Sequence, residues 1–241
     1  DVAECWNGAV AEKRHRCPCG TVGWSGWHGL FRALLGADSH STSSLQTLLR
    51  GVLMRLLLAS SSPRRRALLS LLVSDFESSA PDIDERPRTL EPPADYVARL
   101  ASEKAKTGAA DQWVSLGADT TVAMGHDVLG KPRDSQDAAA MLRALSGNTH
   151  EVHTAVAVAY SGGIKTETCT TSVRFTELSE AAIQQYLLTD EPWDKAGAYG
   201  IQGYAGAFVS QITGSYSAVV GLPLCETRAL LIEAGVPVRH G

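Results

Sequence analysis

What this chain lacks narrows its class first. No apolar run approaches the roughly 20 residues that a membrane-spanning helix needs, and no charged leader runs into an apolar segment. No membrane partner is expected. Cysteine is sparse: five residues in 241, with Cys5, Cys17 and Cys19 far from Cys169 and Cys225, which suggests no even disulfide framework. A reducing, cytoplasmic setting is the expectation. Positive charge is not in excess, since 22 Lys and Arg face 26 Asp and Glu for a net charge of -4. With a pI near 6.0, a broad nucleic-acid surface is not expected, and recognition of phosphate would rest on a few placed cations. Small phosphorylated substrates fit that charge pattern better than DNA. Neither an internal repeat nor the phosphate loop G-x-x-x-x-G-K-[ST] is present, which argues against a P-loop kinase.

What is present suits a globular protein, with 44% hydrophobic and 20% charged residues, enough for a sizeable core. Residues 1–53 stand apart. They hold three of the five Trp and the tract His40-Ser41-Thr42-Ser43-Ser44, without a clear strand or amphipathic-helix pattern. Cys17-Pro18-Cys19, with His15 and His28 nearby, lacks the paired C-x-x-C form of a zinc site, so a weakly ordered extension is the expectation there. Met54 stands immediately before the first organised strand and reads as the native start. The expected division is an N-terminal extension, 1–53, and one domain, 54–241.

That domain opens on Leu56-Leu57-Leu58-Ala59-Ser60-Ser61-Ser62-Pro63-Arg64-Arg65-Arg66. A short apolar strand stops at three serines, and Pro63 suits the first turn of a helix, where its missing N–H costs nothing. Hydroxyls and free N–H groups at the positive end of a helix dipole, beside arginines, form an anion site. A basic first turn capped by Ser62, with its arginines solvated, explains the same residues. Further on, Asp82-Ile83-Asp84-Glu85 reads either as a solvated acidic loop or as hard oxygens for a divalent cation. The spacing predicts a helix over 93–109 with Lys104 on its apolar face, either snorkelling to the rim or pointing into a cleft. Asp119, in Gly117-Ala118-Asp119-Thr120, is read as lying where a strand ends or bends, as a turn cap or a functional acid.

The turn Gly125-His126-Asp127 predicts a hairpin that brings Lys131 back toward Asp119, with His126 solvated at its tip. Helices are expected over 134–145 and 178–188, and a long hairpin pairs 149–160 with 164–175. Cys169, in its second strand, reads as a small packed residue. The glycine-rich stretch from Asp194 to Gly206 fits no regular element and suits close backbone approach to a ligand, with Gln202 offering donor and acceptor. A strand over 207–212 and a helix opened by Pro223 complete a mixed sheet flanked by helices.

Together these stretches resemble the Maf family of nucleoside triphosphate pyrophosphatases over essentially all of 54–241. The resemblance rests on Ala59-Ser60-Ser61-Ser62-Pro63-Arg64-Arg65, Asp82-Ile83-Asp84-Glu85, Glu103-Lys104-Ala105, Gly117-Ala118-Asp119-Thr120, Gly130-Lys131-Pro132, Leu145-Ser146-Gly147, the run from Asp194 to Gly203, and Gly214-Ser215-Tyr216 with Val219 to Leu224. It implies a two-lobed α/β fold like that of the inosine triphosphatases, with a curved mixed sheet, a central cleft and a homodimer. It also implies a reaction in which a nucleoside triphosphate and water give the monophosphate and pyrophosphate. Gly-Ala-Asp-Thr and Gly-Ile-Gln-Gly resemble the subgroup acting on dTTP and UTP. By position, Asp119 matches the family's proton acceptor, and Arg64, Thr120 and Gln202 match substrate-specificity positions. Ser60, Ser62, Arg65, Glu85, Lys104, Lys131 and Lys195 match polar cleft positions. Residues 1–53 have no counterpart.

The mechanism expected on this basis assigns proton abstraction to Asp119 and a divalent cation, Mg²⁺ with Mn²⁺ as the alternative, to Glu85 and Asp119. Ser60, Ser62, Arg65, Lys104, Lys131 and Lys195 would hold the triphosphate, while Gln202 and Thr120 read the pyrimidine edge. The competing reading is a nucleotide-binding regulator of division or septum formation with little turnover.

Overall fold

The structure, a computed structural model, describes residues 55–110 and 113–239. The 1–53 extension, its Cys17-Pro18-Cys19 segment and Met54 lie outside the described residues. In chain order the elements are β1 (Arg55–Ala59), α1 (Pro63–Leu72), β2 (Glu77–Ser79), α2 (Pro93–Thr107), β3 (Trp113–Met124), β4 (Asp127–Leu129) and α3 (Ser135–Leu145). There follow β5 (Thr149–Tyr160), β6 (Gly163–Phe175), α4 (Glu180–Leu187), β7 (Val209–Thr213), α5 (Tyr216–Val220) and α6 (Leu224–Glu233). Three short 3-10 segments occupy Pro192–Asp194, Ala196–Ala198 and Tyr204–Phe208, so the glycine-rich stretch is irregular as expected. The strands form one mixed sheet, in order β2-β1-β3-β5-β6-β7 with β4 on β3. β1 runs parallel to β2 and β3, and the remaining pairs are antiparallel. No helix among the described residues is long and apolar enough to cross a membrane.

The two faces of β5 explain how the layers form. Successive side chains point to opposite faces, and this strand alternates large and small residues. Val156 and Val158 join Leu56, Leu58, Leu69, Val114, Leu116, Leu222 and Leu231 in one core cluster. Each such side chain, fully buried, contributes about 1.5–3 kcal/mol. Ala155, Ala157 and Ala159 face the other way, against Val97, Ala101 and Ala105 of α2. Small residues there let the helix come close. At Gly117 a Cβ would sit 2.3 Å from the Ala101 carbonyl oxygen, so only glycine admits α2 at this depth.

A third cluster packs Val122 and Val152 with Leu142, Leu145, Phe175, Ile183, Tyr186, Tyr199 and Phe208. β3 and β5 therefore run through two packed lobes, and a cavity of about 1020 Å³ is lined from both. The two-lobed mixed α/β expectation is met. Two local readings need correction. β3 does not end or bend at Asp119 but continues to Met124. Residues 216–220 form a helix too short for periodicity to reveal.

His150 lies in the second lobe with 2% exposure, edge-on to Phe175 and with Nε2 2.8 Å from the Tyr199 hydroxyl. Burial pushes its imidazole down from 6.5 to about 4. The unfolded chain therefore takes up this proton first, and stability falls as pH drops from 6.5 toward 4. Urea titrations at pH 7 and pH 5 are expected to differ by about 2 kcal/mol from this group. In a His150→Gln variant that share of the difference should vanish; an unchanged pH slope contradicts the assignment.

Candidate active site

The cleft exists because two neighbours of β3 stop short. β1 pairs with β3 only as far as Ala59 opposite Gly117, and the pairing of β3 with β4 starts only at Val122, opposite Leu129. β5 covers the other edge without interruption. Between these limits, residues 118–121 have no strand partner on the cleft edge among the described residues. Asp119 pairs with Ala155 and Thr120 with Thr154, so consecutive side chains leave on opposite faces. Asp119 meets the α2 side, and Thr120 the α1 side.

On the α2 side, Lys104 is 5% exposed and Asp119 8%. The Lys104 ammonium lies 2.7 Å from an Asp119 carboxylate oxygen and 2.7 Å from Glu85 Oε1. Lys104 thus points into the cleft. Partial burial pushes the Glu85 carboxyl up, but the Lys104 hydrogen bond and charge, with Lys131 and Arg65, bring it below its ordinary value. The acidic loop divides: Asp84 pairs with Arg86 at the surface, while Glu85 turns inward. α2 holds the loop there. The Tyr96 hydroxyl donates to the Glu85 carbonyl at 2.9 Å and Arg99 donates to the Arg86 carbonyl at 3.1 Å. Arg99 is itself bonded to Glu91 at 2.6 and 2.8 Å. Burial and the nearby charges of Asp119 and Glu85 push the Tyr96 phenol up to about 12.

On the α1 side the helix-cap reading holds, and the arginine beside the cap turns inward. The Ser62 hydroxyl accepts the Arg65 N–H and caps α1, with Pro63 in its first turn. Arg65 is not solvated: its guanidinium donates to the Gly221 carbonyl at 2.9 Å, Thr120 Oγ1 at 3.2 Å and Ser60 Oγ at 3.4 Å. Burial lowers its pKa and the Asp119 charge opposes that. Thr154 lies 3.1 Å from the Thr120 hydroxyl and donates to the Ala218 carbonyl. The Thr120 side chain therefore orients an arginine as well as lining the cleft.

The facing wall is the glycine-rich segment. Lys131 follows β4, and the Gly197 N–H donates to the Gly130 carbonyl at 3.0 Å, tying that turn to the segment. The Lys195 ammonium is held by the Glu191 carbonyl at 2.7 Å and by Asp194. Arg64 reaches across to Asp194 at 3.0 Å, so this arginine links the two walls. Gln202 is exposed and lines the cavity. His126 stays at an exposed turn, and Cys169 is half-buried, 3.9 Å from the Thr171 hydroxyl.

All the expected site residues line one cavity: Ser60, Ser62, Arg64, Arg65, Glu85, Lys104, Asp119, Thr120, Lys131, Lys195 and Gln202. Tyr96, Thr154 and Glu191 also hold the site together and are not among the residues expected from the sequence. Tyr96 stands two helical turns before Lys104 on the same face, which is a usable signal. Glu191 precedes Pro192, just outside the stretch singled out by its glycines. Five cationic side chains face four acidic ones in the cavity, with fixed hydroxyls and a helix N-terminus at one end. Such a set is chemically suited to a polyanion, with a carboxylate beside it.

Fold and site define an α/β protein with a cation-lined cleft cut into its sheet. The chain belongs to the Maf-like protein family, which matches residues 55–234. It is 55% identical over 189 residues to the dTTP/UTP pyrophosphatase of Hahella chejuensis, covering 76% of this chain and 94% of that protein. It is 54% identical over 193 residues to the dTTP/UTP pyrophosphatase of Shewanella oneidensis, covering 76% of this chain and all of that one. A dTTP/UTP pyrophosphatase of Anaeromyxobacter dehalogenans is 54% identical over 188 residues.

Proposed function

We propose that the 54–241 domain hydrolyses pyrimidine nucleoside triphosphates, dTTP and UTP foremost, to the monophosphate and pyrophosphate. The observation that carries this is the Asp119 carboxylate held beside a cluster of cations in the cavity, together with relatives named for that activity at 54–55% identity. Asp119 accepts the proton of the attacking water, and Lys104 holds that carboxylate in place. Arg65, Lys131 and Lys195, with Ser60 and Ser62, neutralise and orient the phosphates. Gln202 faces the base, and Arg64 joins the walls around it. The enzyme acts in the cytoplasm as a homodimer on the nucleotide pool.

Mg²⁺, or Mn²⁺ in its place, fits the donor set. Glu85 and Asp119 both close on the Lys104 ammonium, so an ion held by this carboxylate pair would sit beside that ammonium, and Mg²⁺ takes one or two carboxylates and completes its shell with phosphate and water. Five cations against four acids leave less positive charge than a triphosphate carries negative charge. When bound, the ion would supply the remaining charge stabilisation at the phosphates. A binding-only regulator is not favoured, because such a role has no use for a buried carboxylate at the phosphate end. Incubation with a panel of nucleotides and Mg²⁺ tests the proposal: pyrophosphate released fastest from dTTP and UTP is expected. Orthophosphate as the first product, or no product, contradicts it.

A further inference from the structure

The segment carrying Gln202 has no strand or long helix to hold it, yet its backbone is tied to Glu191 at both ends, directly beyond the turn and by way of Tyr186 before it. Ile201 and Gln202 are the central residues of a turn closed by the Gly203 N–H, which donates to the Gly200 carbonyl at 3.1 Å. Beyond the turn, Glu191 Oε1 accepts the Tyr204 N–H at 2.6 Å and Oε2 lies 3.5 Å from the Ala205 N–H. Before the turn, the Gly200 N–H donates to the Tyr186 hydroxyl at 3.3 Å, and that hydroxyl donates to Glu191 Oε2 at 3.1 Å. Gly203 is built around this carboxylate: a Cβ there would lie 2.2 Å from Glu191 Oε1. The Glu191 carbonyl, by contrast, serves the Lys195 ammonium.

A carboxylate has acceptors only, so the three donors around it all point inward and hold the turn from both sides. We propose that Glu191, acting with Tyr186, is a positioning residue for base selection, fixing the crest on which Gln202 stands. This rests on the reading of Gln202 as the base-facing group. The phosphate lysine hangs on the Glu191 backbone, so side-chain substitutions leave phosphate binding in place and act on discrimination. A merely structural cap would lower turnover of every nucleotide alike.

The test compares kcat/KM for dTTP and GTP in Gln202→Ala, Glu191→Gln and Tyr186→Phe, with inhibition by inorganic pyrophosphate as the readout for the phosphate end. Each substitution is expected to lower the dTTP-over-GTP ratio about tenfold, the scale of one misdirected hydrogen bond, with pyrophosphate inhibition unchanged. Combining Glu191→Gln with Gln202→Ala should lower the ratio no further than Gln202→Ala alone. Should Glu191→Gln fail to fold, Tyr186→Phe removes a single hydroxyl and carries the test. A ratio that falls in Gln202→Ala but stays intact in Glu191→Gln and Tyr186→Phe overturns the positioning role and leaves the base reading standing. A ratio unmoved by Gln202→Ala removes the base reading and the positioning role with it. Equal losses on both nucleotides in the Glu191 and Tyr186 variants also overturn the proposal.

Discussion

Replacing Asp119 by Asn is expected to lower kcat on dTTP by about 10²–10⁴-fold, the range for removal of a positioned general base. The amide keeps the shape of the carboxyl and its place in β3, so the 12-residue strand and its pairing with β5 are undisturbed. It also leaves Lys104 and Glu85 paired. Nucleotide affinity, measured by calorimetry with a non-hydrolysable analogue, should therefore change by a few-fold at most. Turnover within a factor of two of the wild type would contradict the role of Asp119, as would binding lost in step with turnover.

Lys104→Met is expected to damage both stability and rate. Lys104 and Asp119 form a buried pair, with side chains 7% and 11% exposed. Removing one partner strands the other charge away from water, which typically costs about 3–5 kcal/mol. The longer reach of the effect is through Glu85, whose carboxylate then faces Asp119 without the ammonium between them. The thioether fills the apolar space left by the lysine stem, so packing against Val97, Leu100 and Ala101 is not the cause of the loss. Urea denaturation should show the stability change, and steady-state kinetics a fall in kcat of about 10²-fold or more, as for loss of one preorganised electrostatic group. A stable variant with ordinary kcat would show the pair to be incidental.

Local chemistry made much of this fold legible. The Ser62-Pro63 junction is a cap followed by a first-turn proline, and both act within one helical turn. The hairpin of β5 and β6 follows from alternation, clearest over 155–159, where Ala and Val take opposite faces. Lys104 could be placed on the inner face of α2 by counting turns from Val97. What stayed hidden depends on distant partners. Asp119 seemed to mark the end of a strand because its neighbours change character there. In fact β3 continues, and it is β1 that stops, at Ala59. No local pattern reports where a neighbouring strand ends. The Arg64–Asp194 link joins residues 130 apart, and Glu191 acts on backbone N–H groups 13 and 14 residues ahead. A carboxylate whose partners are main-chain groups leaves no complementary residue type in the sequence to search for.

The candidate site residues, by contrast, can be listed from the sequence because the resemblance names particular side chains, and the fold lines one cavity with all of them. Geometry adds contacts among them that the sequence does not show. Thr120 lines the cavity, and its hydroxyl also receives Arg65. Arg64, read as selective, spends its guanidinium on the opposite wall.

The most direct measurement is hydrolysis of dTTP in oxygen-18 water, with both products weighed by mass spectrometry. Water activated by Asp119 and delivered to the α-phosphorus should leave one heavy oxygen in the monophosphate and none in the pyrophosphate. Label in the pyrophosphate, or a diphosphate with labelled orthophosphate, would contradict the proposed chemistry of this cleft.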